Sequence, residues 1–229
     1  MPFTVDQFFE VFESYNIAIW PAQIAAYLLG IGAVILAFRG DGMKGRAATG
    51  ILALFWIWMG VFYHIIHFSR INPAARVFGA LFILQGLLFV IMGPVLGKIR
   101  FRFSGDWISV SGLIFILFSM AIYPLIGKLA GHSYPGVPVF GVAPCPVTIF
   151  TFGLMLWISR PVPVYNVLIP LIWSLIGTSA AFSLNVPQDY GLGIAGILGT
   201  VLLIIRNRRL KRQGAGGTPG LEQEVPEQL

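Results

Sequence analysis

The chain has 229 residues, of which 57% are hydrophobic and only 10% are Asp, Glu, Lys or Arg. A soluble domain carries about 25% charged residues, so this composition excludes an ordinary water-soluble fold. The net charge is +6, but the basic residues lie between apolar segments and form no stripe with interleaved aromatics. This pattern argues against a nucleic-acid partner and favours anionic lipid headgroups at the cytoplasmic face.

The first 16 residues predict a short amphipathic helix that lies in the membrane interface. Phe8, Phe9 and Phe12 fall largely on one side at helical spacing, whereas the acidic residues fall elsewhere. Thr4 followed by Gln7 fits a capping box, in which each side chain bonds the backbone N–H of the other residue. We therefore expect a helix to begin just after Thr4.

Seven apolar segments follow, and together they predict one transmembrane domain over residues 17–206. About 20 helical residues cross the roughly 30 Å hydrocarbon layer of a bilayer. The predicted spans are 17–38, 47–68, 74–96, 107–128, 146–159, 164–183 and 189–206, of which the fifth is the shortest. The predicted fold class is an all-α, polytopic membrane protein with seven transmembrane helices preceded by a short interfacial amphipathic helix.

The distribution of Lys and Arg predicts the orientation, because positive residues favour cytoplasmic loops. An extracytoplasmic N-terminus places twelve basic residues in the cytoplasm and three outside. The C-terminus is then cytoplasmic. Residues 207–229 are basic at first and then poor in bulky apolar residues, so we expect a disordered tail.

Four residues of metal-ligand type fall in the outer half of this topology: His64, His67, His132 and Cys145. His64 and His67 are three apart and would share one face of an α-helix, so both imidazoles could approach one ion. These four residues are our candidates for a transition-metal or haem site. The alternative is that the histidines are interfacial side chains with an apolar body and a wet tip.

The predicted outer loop GHSYPGVPVFGVAPCP, residues 131–146, combines helix-breaking residues with apolar ones. We expect it to fold back onto the helices, either as a lid over a cavity or as a rigid connector. The candidate cavity or lid residues are Tyr63, Asn72, Gln85 and Tyr134. Gln85 could instead bridge helices, and Asn72 before Pro73 predicts the N-cap of the third span.

The segment GLGIAG matches the dinucleotide pattern G-x-G-x-x-G but lacks the strand and the acidic residue that this pattern needs. We interpret Gly191, Gly196 and Gly199 as positions of close helix packing in lipid. The carboxylates, including Asp189, lie at termini, in loops or at span ends, so we expect none at the centre of the bilayer.

The segments FWIWMGVFYHIIHFSRINPAARVFGALFILQG, HSYPGVPVFGVAPCPVTIFTFG and IPLIWSLIGTSAAF are similar to a bacterial family of multispanning proteins that is known only as a domain of unknown function, number 6064. The similarity runs from MPFTVDQF through the last span. It implies a location in the bacterial inner membrane. Because the family has no assigned activity, it implies no catalytic residue.

Three functions remain open from the sequence. The first is binding or transport of a small solute or metal ion at a cavity on the extracytoplasmic face. The second is a membrane oxidoreductase with a histidine-ligated metal or haem, and the third is a non-catalytic assembly partner. We expect binding rather than catalysis, and we predict no catalytic residue.

Overall fold

The computed structural model describes residues 2–39 and 42–215. These residues form an all-α bundle, and their only extended pairing is a single bridge between Phe101 and Ile158. Nine α-helices follow in chain order: α1 Val5–Ala18, α2 Ala22–Phe38, α3 Gly42–Trp58, α4 Ala75–Val90, α5 Trp107–Leu117, α6 Tyr123–Leu129, α7 Pro144–Met155, α8 Leu168–Leu184 and α9 Tyr190–Ala215. The predicted all-α class is confirmed.

Helix α1 begins at the predicted capping box, in which the Thr4 side chain accepts from the Gln7 N–H and the Gln7 side chain accepts from the Thr4 N–H. Its axis lies at 87° to that of α2. The aromatic face of α1 packs onto the bundle, since Phe12 and Tyr15 are buried against Tyr63. This helix therefore covers one end of the molecule.

Three of the long helices continue as π-helical segments: α3 into Met59–His67, α4 into Ile91–Val95 and α5 into Phe118–Ile122. A π-helix bonds residue i to i+5 and is wider than an α-helix, and such segments are frequent at functional sites. The segment Met59–His67 carries two of the three histidines. Its geometry changes which of its side chains share a face.

Five helical segments among the described residues are long and apolar enough to cross a membrane, or six if the bent pair α1–α2 forms one span. The five are Gly42–Arg70, Ala75–Val95, Trp107–Leu129, Val164–Leu184 and Pro187–Gln213. The prediction of seven spans is thus supported only in part. The first predicted span, 17–38, counts only when α2 is joined with α1 across the bend. The fifth is too short, because α7 has 12 residues and reaches only about 18 Å at 1.5 Å per residue.

Helix α7 is the centre of the bundle. Every residue from Pro146 to Met155 is buried. The preceding loop dips into the bundle, where Phe140 packs against Tyr27 of α2, Phe55 of α3 and Phe150 of α7. The loop prediction of folding back onto the helices agrees with this placement. The loop and α7 therefore pack together inside the bundle.

At the end of the bundle that carries Arg39, Arg100 and Arg160, two backbone hydrogen bonds join segments that connect the helices. The backbone N–H groups of Ser159 and Phe103 donate to the carbonyls of Arg100 and Phe38. We call this the arginine end, and we call the opposite end, with His64, His67 and His132, the histidine end.

Two boundary predictions need correction. The last span was predicted to end at 206, but α9 continues through the basic residues to Ala215; the rest of the predicted disordered tail lies outside the described residues. Asn72 is not the N-cap of α4, because that position belongs to Ala74. The Asn72 side chain instead accepts from the Ala74 N–H at 3.2 Å, which stabilises the turn before the helix.

The three glycines near the start of α9 lie against neighbouring side chains. A Cβ at Gly196 would collide with Ser174 of α8, one at Gly191 with Phe118, and one at Gly199 with Phe152. The absence of a side chain therefore allows close contact of α9 with α8 at Gly196, with α7 at Gly199 and with the π-helical segment Phe118–Ile122 at Gly191.

Candidate functional site

A cavity at the histidine end of the bundle has a volume of about 180 Å³. Its walls come from α1, the π-helical segment, α4, α7, α8 and the turn before α9. Pro2, Ile176 and Ser179 at its rim are exposed, so the cavity opens along the face of α8. A cavity of this size holds on the order of a dozen waters or a small organic molecule.

Aromatic side chains form most of the wall beneath α1. Phe3, Phe8 and Phe12 come from the N-terminal segment. Tyr63 and Phe68 face them, with the Phe12 and Tyr63 rings stacked 5.0 Å apart and the Phe3 and Phe68 rings 5.4 Å apart. Phe78 and Trp173 complete the wall, with ring centroids 5.5 Å apart. The cavity therefore favours apolar and aromatic ligand groups.

One carboxylate lies in this apolar wall. Asp189 is 3% exposed and accepts a hydrogen bond from the Tyr123 hydroxyl at 2.5 Å. The thiol of Cys145, in the first turn of α7, lies beside the same carboxylate. Asp189, Tyr123 and Cys145 thus form a small polar cluster at the inner side of the cavity.

The sequence missed Asp189 as a site residue. Its position at the start of the last span was predicted correctly, but a carboxylate at a span end is ordinarily exposed to water or headgroups. Here the turn Pro187–Asp189 is covered by neighbouring elements, and Gln188 and Asp189 are both buried. The one available signal was Pro187, which predicts the turn but not its burial.

The two histidines of FYHIIHFSR point to different neighbours, and the expected shared face is wrong. His64 packs on Phe82 and Trp173, with ring centroids 4.5 and 5.0 Å apart. His67 packs on Tyr15, and its Nδ1 lies 2.7 Å from the Phe62 carbonyl. The reason is the π-helical backbone, in which residues three apart no longer lie one above the other.

His64 lies immediately behind the cavity wall. It is fully buried, and neither of its ring nitrogens has a hydrogen-bond partner within the described part of the chain. Four of its ring neighbours, Tyr63, Phe68, Phe78 and Trp173, also line the cavity. The Nε1 of Trp173 likewise lacks a partner among these residues. Two unpaired buried polar groups therefore border this space.

The remaining predicted residues divide into those that line the cavity and those that do not. Tyr63, Asn72 and Cys145 line it. His132 packs outside it on Phe9, with ring centroids 4.4 Å apart. Tyr134 is half exposed beside Trp20.

Gln85 is not a cavity residue, which corrects its assignment as a cavity candidate. It is fully buried in α4, and its Nε2 donates to the Asn166 carbonyl at 2.8 Å. This bond joins α4 to the 3₁₀ turn before α8, which is the helix-bridging role that the sequence left open.

The predicted metal or haem site finds no support. Within residues 2–39 and 42–215, no three side chains among His, Cys, Asp and Glu lie close enough together to hold a metal ion. His64, His67, His132 and Cys145 therefore do not converge.

The arginine end carries an ion pair and a depression lined by arginines. Arg206, which is 5% exposed, binds Asp106 at 2.5 Å and also donates to the Ile158 carbonyl. Partial burial raises the pKa of the Asp106 carboxyl, but the Ser109 N–H and the Arg206 charge outweigh it, and the net pKa lies below the usual value. The depression, of about 490 Å³, is lined by Phe38, Arg39, Arg100, Phe101, Arg102, Phe103, Ser159 and Arg160.

Comparison with known proteins places the chain in a family. Residues 5–214 match the family of unknown function DUF6064, and the chain belongs to it. The similarity inferred from the sequence motifs is thereby confirmed. No curated protein and no solved structure matches the chain. The family match covers the whole bundle but assigns no activity.

Proposed function

We propose that this member of the DUF6064 family is a membrane protein that binds a small, largely apolar solute in the cavity at its histidine end. The observation that carries the proposal is a space of about 180 Å³ whose largely apolar walls include seven aromatic side chains and meet a buried carboxylate. Ligand sites are typically apolar cavities with a few precisely placed polar groups. The unpaired nitrogens of Trp173 and His64 at its border support the same reading.

The proposed orientation places this cavity on the extracytoplasmic side of the bacterial inner membrane. The basis is the excess of Lys and Arg at the arginine end. The exposed rim residues Ile176 and Ser179 lie on the outer face of α8, so a solute could enter from the level of the bilayer. Binding alone, or binding as a step of transport, is compatible with this geometry.

We also propose that the arginine-lined depression binds anionic lipid headgroups. Four guanidinium groups line it, from Arg39, Arg100, Arg102 and Arg160, and none of its described lining residues is acidic. Arg100 Nε is buried and has no hydrogen-bond partner within the described part of the chain. Guanidinium groups bind phosphate oxygens in a bidentate geometry.

A cavity-filling substitution tests the solute site. Ala180 lines the cavity, and Ala180→Phe would place a benzyl group in it. Benzyl alcohol, a neutral probe of suitable size, is titrated into the purified protein, and binding is followed by ligand-observed NMR. We expect a saturable component in the unchanged chain that weakens at least tenfold in Ala180→Phe.

The matched control is Ala80→Phe, which adds the same group at an exposed position of α4. It should bind benzyl alcohol as the unchanged chain does. If the unchanged chain shows no saturable binding, or if Ala180→Phe binds equally well, the cavity is not a solute site.

A further inference from the structure

Among the residues that the structure describes, no cationic side chain pairs with the carboxylate of Asp189. Within residues 2–39 and 42–215, the only ion pair closer than 4.0 Å is that of Arg206 with Asp106. The groups that lie against Asp189 include the Tyr123 hydroxyl and the Cys145 thiol, and the Tyr63 ring lines the same cavity; none of these three is a cation. Burying an ionised carboxylate is costly unless the charge is paired, so this cluster is electrostatically incomplete.

Asp189 is both held in place and accessible from the cavity. The Tyr123 hydroxyl donates to Asp189 Oδ1 at 2.5 Å, which fixes one oxygen of the carboxylate. Access follows because Asp189 is one of the residues that line the cavity. A ligand in this space therefore lies next to the carboxylate.

The rest of the wall is suited to a cation as well. Tyr63, Phe68, Phe78 and Trp173 border the same space. A cation within about 6 Å of an aromatic ring centroid is attracted by the negative face of the ring, and the attraction grows when water is excluded. Apolar walls, aromatic faces and one carboxylate together match an ammonium group carried on a small hydrocarbon body.

We infer that the solute bound at the histidine end is a small organic amine in its cationic form, with its ammonium group against Asp189 and its apolar part among the aromatic rings. This inference rests on the proposed solute-binding function and specifies the class of solute. The Tyr123 hydroxyl is a positioning group, because it donates to Asp189 Oδ1 and so orients the carboxylate at the cavity wall.

Two probes of equal size separate charge from shape. Benzylammonium and benzyl alcohol each contain eight non-hydrogen atoms and differ only in the terminal group, and both are small enough for the cavity. Both are titrated at neutral pH into the purified full-length protein, its Asp189→Asn variant and an exposed-carboxylate control, Glu13→Gln. We expect the unchanged chain and Glu13→Gln to bind benzylammonium at least tenfold more tightly than benzyl alcohol.

In Asp189→Asn the preference for benzylammonium should disappear, while benzyl alcohol binds within about twofold of its affinity for the unchanged chain. The asparagine keeps an oxygen for the Tyr123 hydroxyl, and the benzyl alcohol result reports whether the cavity has stayed intact. If Asp189→Asn does not fold, the comparison of the two probes on the unchanged chain still decides the charge preference.

Each other outcome has a definite meaning. Equal binding of the two probes by the unchanged chain overturns the amine inference but leaves the solute site in place. Retention of the ammonium preference in Asp189→Asn overturns the role of Asp189. Binding of neither probe overturns both the amine inference and the proposed function.

Discussion

Single buried polar residues decide what the two ends of this bundle can do. Asp189 and Asp106 are both at helix starts, yet only Asp106 has a cation beside it. The bonds of Arg206 to Asp106 and Ser104 hold α9 to the segment 104–109, whereas Asp189 borders a cavity. A sequence pattern cannot separate these cases, because both aspartates look like ordinary residues at the ends of spans. The difference comes from whether Arg206 lies across from the carboxylate.

The Asp106–Arg206 pair predicts an acid-sensitive stability. The pKa of Asp106 in the folded chain lies below its usual 3.8, so its contribution to stability is complete above pH 3.8 and is lost as the pH falls towards the folded pKa. Asp106→Asn should lower the free energy of unfolding at neutral pH by about 1–2 kcal/mol, because it leaves Arg206 buried without its partner, while solvent at the 34% exposed Asp106 side chain screens the pair. The measurement is the thermal unfolding midpoint in detergent across pH.

In the same titration, the thermal unfolding midpoint of Asp106→Asn should fall less in acid than that of the unchanged chain. Glu13→Gln, an exposed carboxylate on α1, is the control and should leave both the midpoint and its pH profile unchanged. An Asp106→Asn profile parallel to that of the unchanged chain would contradict the assignment.

At the scale of elements, the short helix α7 and the π-helical segment shape the site. Helix α7 is too short to cross a bilayer, but it begins deep in the bundle because the loop 131–143 enters ahead of it. That start places Cys145 beside Asp189. The π-helical segment turns His64 towards α8 and His67 towards α1. Hydropathy detects neither feature, since it reports the composition of a segment and not its hydrogen-bond register.

The contact between α8 and α9 gives the prediction at this scale. Gly196→Ala should destabilise the bundle by about 1–3 kcal/mol, because the new methyl group would lie 2.5 Å from Ser174 Cβ, an atom that cannot move without the α8 backbone. The matched control is Gly32→Ala in α2, where no atom lies within 4 Å of the added Cβ. It should be neutral or slightly stabilising, because alanine favours the helix.

Unfolding in increasing denaturant, followed by circular dichroism, measures both variants. Equal stability of Gly196→Ala and Gly32→Ala would show that the two helices can separate at no cost.

At the scale of the whole molecule, the arginine-lined depression and the aromatic cavity lie at opposite ends of the bundle. Four arginines line the depression at one end, and the aromatic cavity occupies the other. Exposed apolar residues cover the sides of the bundle, among them Leu28, Ile35, Val77, Leu117 and Phe182. Such a surface is stable in lipid and would be a large exposed patch in water.

The arginine end predicts selective retention of anionic lipid. Arg100→Gln together with Arg160→Gln should weaken binding of phosphatidylglycerol roughly tenfold or more, since each basic residue near an anionic surface contributes about 1 kcal/mol. Native mass spectrometry with phosphatidylglycerol and phosphatidylcholine measures this. The control is Arg70→Gln with Arg76→Gln, two exposed arginines at the opposite end. If both double variants lose phosphatidylglycerol binding equally, the depression is not a specific site for anionic lipid.

The sequence by itself determined the helical class, the apolar character of the helices, most helix boundaries and the capping box at Thr4. These properties depend on local composition and on residues a few positions apart, and so they can be read along the chain. It also named Tyr63, Asn72 and Cys145, three residues that line the cavity. The family assignment followed from the same local motifs.

Only the tertiary structure decided which polar residues meet. Tyr123 and Asp189 are 66 positions apart, and their contact depends on how α6 and the turn before α9 pack. The separation of His64 from His67 depends on a π-helical register that long-range packing stabilises. Pair contacts between distant segments arise from the mutual fit of whole helices, and for this reason the unpaired carboxylate and its aromatic cavity became visible only in the folded chain.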